Sequence, residues 1–144
     1  MPTVQERFSI ALHHSARVWR LALDRRLKHL GLGQAGWLTI AMAARASAPL
    51  SQSDLAHAQG VEGATMVLMI DRLVKAGLVE RQACDTDRRI KRIVLTAEGQ
   101  ALYHQVKAEA DAFRNEMLTL EDESLLLQAT TLLERLRSKA ENAK

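Results

Sequence analysis

Between Val61 and Thr96 the sequence VEGATMVLMIDRLVKAGLVERQACDTDRRIKRIVLT switches from a helical to an alternating hydrophobic period, an order that few architectures accommodate. Met66, Val67, Ile70, Leu73 and Val74 recur at helical spacing, so a helix of about four turns has a stripe available for burial. Gly77 suits the left-handed residue that ends such a helix. Leu78 to Gln82 then reads as a short strand with Val79 between polar neighbours. Ala83 to Asp87 reads as a hairpin tip, because Asp85, Thr86 and Asp87 bond their own backbone and favour turns. A second β-branched run, RRIKRIVLT, carries Arg88, Arg89, Lys91 and Arg92 and closes at Thr96, a good N-cap for another helix. Helix, strand, basic hairpin and strand outline a winged helix. Such a unit suits DNA: the helix fits the major groove, and guanidinium groups at the tip reach phosphates or a narrow minor groove.

The flanks bound what surrounds this unit. With 144 residues and 47% hydrophobic content the chain can bury a core, and its length favours one domain. The net charge of +3 is the balance of a basic stretch from Arg81 to Arg92 and an acidic one holding Glu116, Glu121, Asp122 and Glu123. That segregation implies one face for a polyanion. The single cysteine, Cys84, excludes an internal disulfide. No apolar run approaches the roughly 20 residues of a membrane span, and Arg17, Arg20 and Asp24 interrupt any signal-peptide core, so a cytoplasmic protein with no membrane partner is expected.

In chain order, Phe8, Leu12, Ala16, Trp19, Leu23, Leu27 and Leu30 predict a long first helix from about Val4 to Leu30, broken by Gly31 and Gly33. Val18, Leu21 and Ala22 widen its apolar stripe beyond what one packing partner needs, which implies a second subunit. Gln34 to Ala46 predicts a second helix, with Trp37, Leu38, Ile40 and Ala41 available for the core, ended by Ala48-Pro49. Ser51 opens a short third helix through an S-x-x-D capping box with Asp54, and Gly60 closes it. Ser51 to Leu73 is therefore a helix-turn-helix whose second member is the recognition helix. Leu102, Val106, Ala110, Phe113 and Met117 mark a fifth helix. Leu125, Leu126, Ala129, Leu132, Leu133 and Leu136 mark a sixth, starting between Thr119 and Asp122. The first helix, and the same helices of a second copy, are the natural cover for these stripes.

Catalytic chemistry finds no support. Cys84 has basic neighbours, but a thiol nucleophile needs an oriented base, and His57 belongs to another element. His13, His14, His29, His57 and His104 are dispersed, without ligand spacing to a cysteine or carboxylate, so neither metal nor cofactor is expected. There is no phosphate-binding glycine loop.

The run from Ser51 to Gly99, and within it DRLVKAGLVER and the DxDRRxKRIxLTxxG pattern, resembles the MarR family of bacterial transcriptional regulators. RVWRLALDRRLKHLGLGQAGWLT near the start and QACDTDRRIKRIVLT in the wing resemble its SlyA branch most. The resemblance implies a mainly α fold with a small β-hairpin wing (α+β). A winged helix-turn-helix at residues 34–98 and a helical dimerisation region at 4–30 with 99–140 would make one domain across 1–144. It implies a homodimer on a pseudo-palindromic operator in double-stranded DNA, with Arg88 entering the minor groove, Arg89 and Lys91 on phosphates and Asp87 steadying nearby arginines. The DNA-facing set is then Ser51, Gln52, Gly63, Ala64, Thr65, Leu68, Met69, Arg72, Arg81, Asp87, Arg88, Arg89 and Lys91. Relatives also bind anionic aromatic molecules in a crevice beside the dimer helices, to which Arg17, Trp37 and Ala41 correspond. This chain departs from the pattern twice. Leu68 replaces a common recognition-helix arginine and removes a donor for guanine, and Ala41 stands where the SlyA branch can carry a polar ring.

Three functions fit these features. The leading one is a sequence-specific regulator, enzymatically inert. A nucleoid-type protein coating A·T-rich DNA with little sequence readout is the alternative. A sensor released from DNA by a small aromatic carboxylate is compatible with the first.

Overall fold

The computed structural model describes residues 1–143 and is mainly helical, with one small antiparallel sheet. It divides into two compact units, Met1–Asp111 and Ala112–Lys144.

In the first unit, helix α1 spans Val4–Leu27 and begins with a reciprocal capping box: the Glu6 amide donates to Thr3 Oγ1 and the Thr3 amide to Glu6 Oε2. It ends earlier than its periodicity predicts. Lys28–Leu30 tightens into a single turn of 3-10 helix before Gly31 at φ +78°, since a left-handed residue there cannot prolong α-helical geometry. Only Leu23 and Leu27 of the predicted stripe are buried in the chain, while Phe8, Leu12, Val18, Trp19 and Leu21 are exposed.

Helix α2, Gln34–Arg45, buries Trp37, Thr39, Ile40 and Ala41. Thr39, the one buried polar side chain of the core, donates to Ala35 O (2.7 Å) and accepts from Gln59 Nε2 (2.8 Å), so its hydroxyl is satisfied and ties α2 to the next helix. That helix, α3 (Gln52–Gln59), carries the expected box: the Asp54 amide donates to Ser51 Oγ and the Ser51 amide to Asp54 Oδ2. Gly60 at φ +67° turns the chain into α4, Gly63–Lys75. Met66, Ile70 and Leu73 of α4 lock into a core with Ile40, Leu55, Ala56, Val79 and Ile93. Each such aliphatic side chain is worth about 2 kcal/mol of apolar burial. Val67 and Val74, expected in the same stripe, are exposed. With Met66, Ile70 and Leu73 fixed inward, the helical repeat turns both valines about 90° away.

The sheet has the order β1-β3-β2. Strand β2 (Val79–Ala83) pairs with β3 (Lys91–Leu95) from Val79↔Leu95 to Ala83↔Lys91. A two-residue strand, β1 (Leu50–Ser51), adds to the other edge of β3 and has no counterpart in the sequence reading. It is too short to show an alternating pattern. The hairpin tip runs from Cys84 to Ile90, longer than predicted, and Arg88 and Arg89 lie in its turn rather than in β3. Asp87 is the cause: its Oδ1 accepts the Arg89 amide and its carbonyl the Ile90 amide, so the turn consumes residues that would otherwise pair.

Helix α5, Ala97–Leu118, starts at a tight junction. Thr96 Oγ1 donates to Gly77 O (2.6 Å) and accepts the Gly99 amide (3.0 Å), while the Thr96 amide donates to Leu78 O (3.1 Å). Gly99 lies so close that a Cβ there would overlap the Leu78 carbonyl oxygen. Val106 and Ala110 are buried, and Arg26 meets Glu109 at 3.1 Å. The second unit holds the end of α5 and α6, Glu123–Glu141, which Asp122 caps by accepting the Leu125 amide. No residue of α6 is buried; Leu125, Leu127 and Leu133 are exposed, as is Met117 of α5.

Candidate nucleic-acid interface

The outer face of α4 follows from what its inner face must bury. Positions 66, 70 and 73 occupy the core, so Thr65, Leu68 and Arg72 emerge on the far side, all exposed, with Leu68 61% accessible. Gly63 and Ala64, also exposed, form the first turn, where small residues allow close approach of another backbone. Met69 differs. It is half-buried and packs against the core cluster, so its exposed share is small.

Ser51 and Gln52 stand at the start of α3. Ser51 is engaged in the capping box, and its amide N–H and then its hydroxyl hold the Asp54 carboxyl below the usual carboxylate range. Gln52 gives its amide oxygen to Arg81 at 2.6 Å. Arg81 is not a free cation: it also contacts Asp71 Oδ1 at 2.6 Å and Val67 O at 3.2 Å. Asp71 was missed in the sequence, where nothing signals a pair between a helix residue and one ten positions later across a turn.

At the wing tip Asp87 and Arg89 form a two-pronged pair, Nε to Oδ1 and a terminal nitrogen to Oδ2, both 3.2 Å. The Arg89 side chain and then its amide hold the Asp87 carboxyl below its usual range. An exposed pair of this kind contributes little stability but fixes a direction. Arg88, exposed beside it, has no hydrogen bond or ion pair among the described residues, and its guanidinium can swing outward. Lys91 is exposed at the start of β3. Behind the tip, Cys84 is buried with its sulfur 3.2 Å from Thr86 Oγ1. Hydrogen bonds from the Thr86 hydroxyl and from the Thr86 and Asp87 amides pull the thiol down to about 7.

The three crevice residues are not brought together. Arg17 lines an open groove of about 520 Å³ with His13, Arg20 and Gln34, but Trp37 and Ala41 do not. Both are buried, and the Trp37 indole N–H is committed to Asp24 Oδ1 at 3.1 Å. Among the described residues no three histidine, cysteine or acidic side chains are grouped to hold a metal ion, and no helix is long and apolar enough to cross a membrane.

A recognition helix, a preceding capped helix and a basic hairpin on one module match known proteins. The family model for MarR matches residues 42–91. The crystal structure of the transcriptional regulator PA3341 superimposes with a TM-score of 0.88 at 42% identity, covering 94% of this chain and 99% of that one. CouR from Rhodococcus jostii RHA1, solved with p-coumaroyl-CoA, gives 0.82 at 23% identity over 94% and 95% of the two chains. A MepR variant from S. aureus bound to an oligodeoxyribonucleotide gives 0.61 at 22% identity over 92% and 97%. By fold, site architecture and sequence together, this chain belongs to the MarR family of transcriptional regulators.

Proposed function

We propose that the chain acts as a homodimeric, sequence-specific regulator of the SlyA-like branch, reading a pseudo-palindromic operator with one α4 in each half-site. The observation that carries this is the single exposed surface formed by Thr65, Leu68 and Arg72 of α4 and by Arg88, Arg89 and Lys91 of the wing. Side chains on a helix read base edges, and a free arginine at the tip suits a narrow minor groove. Homodimerisation is supported by the apolar side chains that α1 and α6 leave exposed. An interface of the obligate class, on the order of 2,000 Å² or more, would cover them. The SlyA-like assignment rests on the resemblance of QACDTDRRIKRIVLT and of the Arg17 to Thr39 segment.

Release by a small anionic aromatic molecule is a further part of the reading, carried by Arg17 on its groove and by the ligand in the CouR structure. Trp37 and Ala41 would then support the groove from behind. Selection of bound sites from random duplex DNA tests operator reading: enrichment of an inverted repeat is expected, and uniform recovery of A·T-rich DNA would refute it. Sedimentation at micromolar concentration should show a dimer, and a folded monomer there would refute the assembly.

A further inference from the structure

Arg81 has an occupation unlike that of the wing cations. Its side chain is only 27% exposed, and its guanidinium joins three elements: its own strand β2, Gln52 at the first turn of α3, and α4 through Val67 O and Asp71. Val67 and Asp71 are one helical turn apart, so the planar fork grips α4 at two levels of the same face.

Two consequences follow from the chemistry of the fork. Arginine has donors only, so Gln52 must meet it with the amide oxygen, and the amide NH₂ is directed elsewhere. Gln52 is thereby fixed as a donor at the edge of the proposed DNA surface. Asp71, half-exposed on the recognition helix, would repel a phosphodiester if bare; the ion pair at 2.6 Å offsets its charge.

We propose that Arg81 is a positioning residue for DNA reading: it sets the pitch of α4 against the wing and the donor orientation of Gln52, and contacts no phosphate. This rests on the DNA-reading role proposed above. A phosphate contact and a positioning clamp differ in sign at Asp71. If Arg81 served phosphate, Asp71→Asn would release it and remove an anion, tightening binding to every duplex. If Arg81 is a clamp, the same change loosens α4 and costs affinity only where sequence is read.

The experiment compares the parent, Asp71→Asn, Arg81→Lys and the charge-neutral double variant Arg81→Ala/Asp71→Ala. Each is titrated across a salt series on a site enriched from random DNA and on its scrambled counterpart, with thermal unfolding followed in parallel. All three variants should bind the enriched site about tenfold more weakly. The scrambled duplex should be bound no more weakly, and the double variant should keep the parent's salt slope. Tighter binding by Asp71→Asn, full affinity in Arg81→Lys, or a slope reduced by about 0.9 in the double variant would overturn the proposal. Should the double variant fail to fold, Asp71→Asn, nearly isosteric, decides alone. A parent that enriches no sequence overturns the underlying reading; one that enriches a site but tolerates all three variants overturns the clamp alone.

Discussion

Leu68 offers the sharpest test of how this chain reads DNA. It stands 61% exposed on the outer face of α4, between Thr65 and Arg72, where an apolar side chain gains nothing in the free protein. Leucine cannot donate to guanine, but its methyl groups can cover the C5-methyl of thymine, the one apolar feature of the major-groove edge. Replacing that thymine by uracil deletes a single methyl and preserves base pairing. Burying one such group is worth about 0.8 kcal/mol, or roughly fourfold in affinity, and roughly sixteenfold when both half-sites are changed. The assay is a thermodynamic cycle at fixed salt: parent and Leu68→Ala, each titrated with thymine and uracil operators by fluorescence anisotropy. The parent should lose the stated factor and Leu68→Ala almost none, while a uracil outside the half-sites should be silent for both. Equal affinity of the parent for the two operators would leave Leu68 without a reading role.

Three further outcomes are expected. Arg88→Ala should weaken operator binding by about 1 to 3 kcal/mol at matched salt, most on sites with an A·T-rich centre, with thermal unfolding unchanged; undiminished affinity would exclude it from the minor groove. Asp54 and Asp87 have carboxyls depressed below the usual 3.8, so the stability they lend is present above that value and lost as pH falls through the folded values. Urea unfolding should accordingly show a decline beginning near pH 4, shallower in Ser51→Ala because its hydroxyl contact with Asp54 is gone. In the wing, Thr86→Val removes the leading contact that lowers Cys84, so the thiol should climb from about 7 toward 9, followed by thiolate absorbance; an unmoved titration would place the cause in the backbone amides.

The order of elements was legible from residues because helical and alternating periods each report a buried face. Ile70 and Leu73 could be assigned inward from spacing alone, and Ser51 with Asp54 marked the start of α3 through local chemistry. What spacing does not resolve is the edge of a stripe: Val67 and Val74 have the right residue type and lie on its flank, and only three-dimensional packing turns them out. Nor does a two-residue strand such as β1 carry a period. In the site, Thr65, Leu68 and Arg72 were legible as the pole opposite Ile70. Arg81 was not, because a basic residue in a basic stretch reads alike whether it faces solvent or, as here, is held by Asp71 and Gln52 from two other elements.

The junction at Gly99 sets the terms on which this reading head could be exchanged between regulators. The carbonyl of Leu78 presses on the spot where a side chain of residue 99 would begin, and the Thr96 hydroxyl bridges Gly77 to the first turn of α5. A chimera spliced at Thr96 would import that carbonyl and rely on the recipient for the missing side chain, and any residue but glycine there would force the backbone apart. The natural cassette therefore runs from Ser51 through Gly99, three residues into α5, and splice points chosen at the visible end of the sheet would cut through the seam that holds the parts in register.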